Sequence, residues 1–186
     1  MRWFSSDQER RLWIYVLLLI VAIYSTLGLA RSIAGELRMR GLFDTVFVIG
    51  FVLIIFAIVV HAFWTGRSGV EIVVILVFVA VYIMVFARMG IPEERTHLFE
   101  YGAVAIVVLE ALRERKRGHR SVPVPAILAI LITASLGIID EIIQFFMPSR
   151  VFDPIDIGFN VLAAVMAVTA SVTLGWVQRR ARSASP

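Results

Sequence analysis

The sequence predicts an all-α protein, a polytopic membrane helical bundle of about six transmembrane helices with both termini cytoplasmic. Three observations carry this: an apolar composition, long unbroken apolar runs, and a one-sided distribution of basic residues. Sixty per cent of the 186 residues are hydrophobic and only 17% are charged, too little polar surface to cover a water-soluble core. The apolar residues come as runs rather than as the stripe of an amphipathic soluble helix. A helix crossing hydrocarbon needs roughly 20 such residues.

The elements follow in chain order. Leu12–Ala30 is free of charge and is the first span. Arg2, Arg10 and Arg11 precede it as in a signal peptide, but the run exceeds the usual ~7–15 residues and ends in Gly-Leu-Ala-Arg-Ser. It therefore reads as a retained span. Val46–Trp64 is the second, interrupted only by His61, and Val70–Ala87 the third, with Glu71 at its edge. Thr96–Leu112 is the fourth and the weakest, because His97, Glu100 and Glu110 lie inside it. Val122–Ile139 is charge-free and continues through Asp140 and Glu141 to Met147; its Val-Pro-Val-Pro start caps the helix rather than breaking it. Ile157–Val177 is the sixth. The chain divides into 1–92, three helices without recognisable motifs, 93–178, three helices carrying polar motifs, and a tail at 179–186.

Orientation follows from the 18 Lys and Arg residues. With a cytoplasmic N-terminus, twelve fall on inside segments and six outside, which the positive-inside rule favours. Trp13, Trp64 and Trp176 then lie at the inner interface, and Arg113–Arg120 becomes an inner loop able to touch anionic headgroups. The basic residues flank spans, so nucleic acid is not an expected partner; membrane lipids are. The absence of cysteine excludes disulfides, thiolate metal sites and thiol nucleophiles. With one histidine among the carboxylates, no metal site and no cofactor is assigned.

This topology gathers polar residues toward one face of the membrane. His97, Glu100 and Tyr101 stand at i, i+3 and i+4 on the fourth span. Asp140, Glu141 and Gln144 share the outer end of the fifth, with the two acids roughly 10 Å below its end at ~1.5 Å per residue. Asp156 and Asn160 are one turn apart at the start of the sixth, and Arg150 stands in the turn between. A carboxylate near mid-membrane costs on the order of 2.5–3.5 kcal/mol, so these groups must face the bundle interior or water. Adjacent acids beside a histidine suit general acid–base chemistry or a proton relay. The plainer alternatives are a structural knot joining the acids to Arg150 and His97, interfacial snorkelling of Arg150, and helix stitching by Gln144 and Asn160. His61 and Glu110 lie away from the cluster and read as structural.

His97-x-x-Glu100-Tyr101, Asp140-Glu141-x-x-Gln144-Phe145, Pro148-Ser149-Arg150 and Asp156-x-x-x-Asn160, in this order, resemble the VanZ-like family of bacterial membrane proteins. The likeness runs from about Arg95 to Trp176. Ser149 stands where the family's turn often has Gly, and Ala163 where Gly often follows the Asn, which suggests looser helix packing there. The resemblance implies a multi-pass protein of the bacterial cytoplasmic (inner) membrane, linked to teicoplanin-type glycopeptide resistance. It would act at the outer face on an envelope, lipid-linked or cell-wall precursor substrate. In that reading His97, Asp140 and Glu141 are the catalytic candidates. Glu100, Tyr101, Gln144, Arg150, Asp156 and Asn160 would bind substrate. A proton- or cation-coupled transporter and a non-enzymatic membrane binding or assembly module are the alternatives.

Overall fold

Six α-helices account for most of the residues, 3–89, 92–146 and 154–183, that the computed structural model describes, and no strand occurs among them. They are α1 (Asp7–Met39), α2 (Phe43–Trp64), α3 (Gly69–Arg88), α4 (Pro92–Arg117), α5 (Pro125–Phe145) and α6 (Pro154–Ser183). Among the described residues, α2, α3, α5 and α6 are long and apolar enough to cross a membrane. Much of their apolar surface points outward, as at Val52, Leu53 and Phe56 on α2 and Val73, Val77 and Met84 on α3. Such apolar faces would be a liability in water and cost nothing against lipid chains.

Local chemistry sets the helix ends. α3 opens with a capping box: Ser68 Oγ accepts from the Glu71 backbone N–H at 3.4 Å and donates to Glu71 Oε1 at 3.1 Å. α5 begins at Pro125, with the residue before it, Val124, in extended backbone. A proline disfavours helical geometry in its predecessor but suits a first helical turn, whose N–H needs no partner. α4 ends where His119 takes a left-handed φ of 60°, and the Arg120 N–H returns to the Arg115 carbonyl at 3.3 Å.

The chain forms two compact units. The first comprises Met1–Thr26 and Glu93–Thr169, so it holds the start of α1 together with α4, α5 and the first part of α6. No motif in the sequence ties the start of α1 to the polar helices. Its core is Val16 and Ile23 of α1, Val104, Ala105, Val108, Leu109 and Leu112 of α4, Ala129 of α5, and Ala164, Ala167 and Val168 of α6. α4 is the innermost helix of this unit: Leu98, Tyr101, Val104, Ala105, Val108, Leu109, Ala111 and Leu112 are each no more than 3% exposed. The start of α1 is fastened to the end of α4. Glu9, fully buried, accepts from the Ser5 hydroxyl and backbone N–H and from Arg115 Nη1 at 3.0 Å, while Ser6 Oγ donates to Glu114 at 2.9 Å. Burial alone would raise the Glu9 carboxyl; the bonds from Ser5 and the Arg115 charge outweigh it and hold the group below its ordinary value.

The second unit comprises Leu27–Pro92 and Ala170–Pro186. In it Phe51 of α2 stacks on Phe86 of α3 with ring centroids 4.0 Å apart, and Gln178 donates to Glu71 at 3.3 Å.

Candidate functional site

The buried face of α5 explains how the site is assembled. Its buried positions are Ala129, Thr133, Gly137, Asp140, Glu141 and Gln144, a stripe that changes from small residues to acids and an amide along the helix. The spacing of four keeps them on one side. At Gly137 the stripe meets α6 closely, for a Cβ built there would lie 2.7 Å from Asn160 Cβ. The close approach is thus made by α5; Ala163 on α6, where looser packing was expected, is itself fully buried. One turn beyond Gly137 on α5 is Glu141, and one turn before Asn160 on α6 is Asp156. α4 adds His97 and, one turn on, Tyr101.

These elements bring three of the expected residues to a single point. One donor atom each from His97, Glu141 and Asp156 all lie within 4.8 Å of one another. His97 Nε2 is 3.7 Å from Asp156 Oδ2. Gln144 Nε2 donates to Glu141 Oε1 at 3.3 Å. His97 and Tyr101 have their rings roughly parallel, with centroids 5.9 Å apart. Asp140, fully buried, lies beside the Tyr101 side chain and interacts with it and with Tyr24 of α1. Tyr24 is fixed in turn by donating to the Leu136 carbonyl at 3.1 Å.

His97, Tyr101, Asp140, Glu141, Gln144 and Asn160 are all buried, and Asp156 and Glu100 are half-buried. Glu100 adjoins Tyr101 electrostatically but is not part of the three-residue point. Arg150 lies outside the described residues, as does the rest of the Pro148-Ser149-Arg150 turn. His97 faces Asp156 as well as Glu141, so the acids around it come from both α5 and α6. Tyr24, Thr133 and Gly137 were not among the sequence candidates. Gly137 and Thr133 had a signal, the four-residue spacing of small residues leading to Glu141. Tyr24 had none, being one aromatic among many in an apolar run.

The arrangement has an unusual polar inventory for a bundle interior. Among the described residues, neither oxygen of Asp140 makes a hydrogen bond of standard geometry, and neither do the Thr133 hydroxyl or the two amide atoms of Asn160. Buried polar groups usually find partners because leaving them bare costs about 1–3 kcal/mol each. Incompletely satisfied acceptors and donors on facing helices are suited to receiving a ligand, an ion or water. Comparison with protein-family models, curated proteins and solved structures returned no match for this chain.

Proposed function

We propose that this chain is a VanZ-like, six-span protein of the bacterial cytoplasmic membrane. In this reading the α4–α5–α6 cluster receives the polar group of an envelope or lipid-linked substrate at the outer face. The observation that carries it is the convergence of His97, Tyr101, Asp140, Glu141, Gln144, Asp156 and Asn160 from three helices inside an apolar bundle. Ionisable groups at such depth are costly, and structure alone rarely repays them. Hydrophobic packing supplies stability here without them, since the core of Val, Leu and Ala residues lies beside the cluster. The excess of basic residues on the opposite segments supports an outward-facing site.

The roles follow from chemistry. His97, Asp140 and Glu141 are the reactive set; Gln144 and Asn160 orient the bound group, and Tyr101 supplies a hydroxyl beside Asp140. Arg150 is the expected fork for a phosphate or carboxylate. The link to teicoplanin-type resistance rests on the family likeness alone.

The test is expression in a glycopeptide-susceptible bacterium. The wild-type chain should raise the teicoplanin concentration needed to stop growth. Asp140→Asn, which changes charge and not shape, should abolish the effect at equal membrane abundance. No shift with the wild-type chain, or an undiminished shift with Asp140→Asn, would reject this reading.

A further inference from the structure

The geometry points to a mononuclear site for a first-row divalent transition metal, Zn²⁺ in the first instance, held by His97, Glu141 and Asp156. This inference rests on the same cluster as the proposed function and names what the cluster binds. Around a tetrahedral Zn²⁺ with bonds of about 2.0–2.1 Å, donor atoms stand about 3.4 Å apart. His97 Nε2 and Asp156 Oδ2 are already 3.7 Å apart, and all three donors fall within 4.8 Å. Small side-chain rotations close the remainder.

The donor set suits the ion. Two carboxylates balance a divalent charge, which makes the pair tolerable away from water. The imidazole favours zinc, iron or copper-like ions over calcium and magnesium, which prefer oxygen alone. Three protein ligands leave a position for water or an oxygen of a substrate headgroup, the pattern of reactive rather than structural zinc. The ligands come from three helices, so binding would tie α4, α5 and α6 together.

Two further observations stand apart from the triad. Gln144 donates to Glu141 at 3.3 Å, the kind of second contact that fixes a ligating carboxylate. Asn160 is fully buried with both amide atoms unpartnered, one turn from Asp156 on α6 and packed at Gly137, one turn from Glu141 on α5. A buried amide one turn from two of the three ligands therefore has no partner among the described residues. An ion carrying water would give that amide its partner.

The full-length protein in detergent micelles, stripped with chelator, reloaded with Zn²⁺ and desalted, is expected to retain about one equivalent by mass spectrometry. His97→Ala, Glu141→Gln and Asp156→Asn should each weaken binding at least tenfold, whereas His61→Ala and Glu110→Gln should not. Added Zn²⁺ should also raise the unfolding midpoint of the wild-type protein, and the triad variants should lose that rise. Wild-type protein retaining well under one equivalent, or retention unchanged in folded triad variants, overturns the site. If a triad variant does not fold, the wild-type stoichiometry and the remaining variants decide. Loss of metal binding in an otherwise teicoplanin-protective protein would reject the ion and spare the proposed function. Stoichiometric metal without protection would do the reverse.

Discussion

The sharpest structural test is Gly137→Ala. A Cβ at this position would stand 2.7 Å from Asn160 Cβ and 2.9 Å from its Nδ2, where ordinary contact begins at 3.4 Å. Asn160 Cβ is fixed to the backbone of α6, so a side-chain rotation can move Nδ2 aside but does not relieve the Cβ overlap. The helices must part by roughly 0.7 Å, the difference between 3.4 and 2.7, and overpacking of this kind costs about 1–3 kcal/mol. Alanine's better helix propensity returns up to about 1 kcal/mol, which would blur the result without a control. Gly158 supplies one, being in α6 with nothing within 4 Å of a built Cβ. Gly158→Ala should be neutral or stabilising, and Gly137→Ala should be about 1–3 kcal/mol worse than it. Reversible unfolding in mixed micelles, followed by far-ultraviolet circular dichroism, measures both. Asn160→Gly in the Gly137→Ala background removes the obstructing Cβ and should recover part of the loss, a coupling that independent sites do not show. Equal stabilities for the two alanine variants would mean that α5 and α6 do not meet as described.

Three further outcomes follow from particular contacts. Glu9→Gln should lower stability by about 1–3 kcal/mol at neutral pH, because it strips the charge from a buried carboxylate hydrogen-bonded to Ser5 and paired with the partly exposed Arg115. Since the folded Glu9 carboxyl lies below its ordinary value of 4.5, the stabilisation is fully present above that value and disappears as pH falls through the folded one. The difference between wild type and Glu9→Gln should thus be flat from pH 5 upward and shrink in acid; a difference that grows in acid would contradict the assignment. His119→Gly should raise stability by about 0.5–1 kcal/mol in the same unfolding assay, as the left-handed φ of 60° is strained for histidine and easy for glycine. Ser149→Cys should react with a membrane-impermeant thiol reagent added to intact cells, and labelling only after lysis would reverse the proposed orientation.

The helices were legible because hydrocarbon imposes one requirement on sequence, an apolar run of sufficient length. Their ends were less so, since polar chemistry sets them. α1 starts at Asp7, ahead of Leu12, because Ser6 and Glu9 cap it. α5 starts at Pro125 rather than Val122 because two prolines hold the preceding residues out of the helix. α4 looked weakest for carrying His97, Glu100 and Glu110, yet it is the innermost helix of its unit. Hydropathy ranks a helix by its average, whereas burial depends on where each residue points. Leu98, Val104, Ala105, Val108 and Leu109 are fully enclosed, while Glu110 is only partly so.

The candidate site shows the same division. Its residue types were legible because an acid among apolar residues is costly wherever it points. Its pairings were not, because they depend on helix rotation. His97 meets Asp156 across two helices, and nothing in either motif specifies that. Tyr24 reaches α5 from a helix without motifs, donating to the Leu136 carbonyl one turn from Asp140, because α1 begins inside the unit formed with α4, α5 and α6.

Packing and chemistry converge on one feature of α5. Glycine at 137 admits Asn160 to a distance that no side chain would tolerate. The same approach carries Glu141 and Asp156, one turn along their helices, into reach of His97. A bulkier residue at 137 would part α5 from α6 by roughly 0.7 Å, adding to the distance that the ligands must close around a common ion, while leaving every polar residue in place. Asn160 would then regain room for other partners. The packing of Asn160 and the close triad thus both depend on a small residue at 137. Weaker zinc binding in Gly137→Ala than in Gly158→Ala, with all three ligands intact, is what that coupling requires.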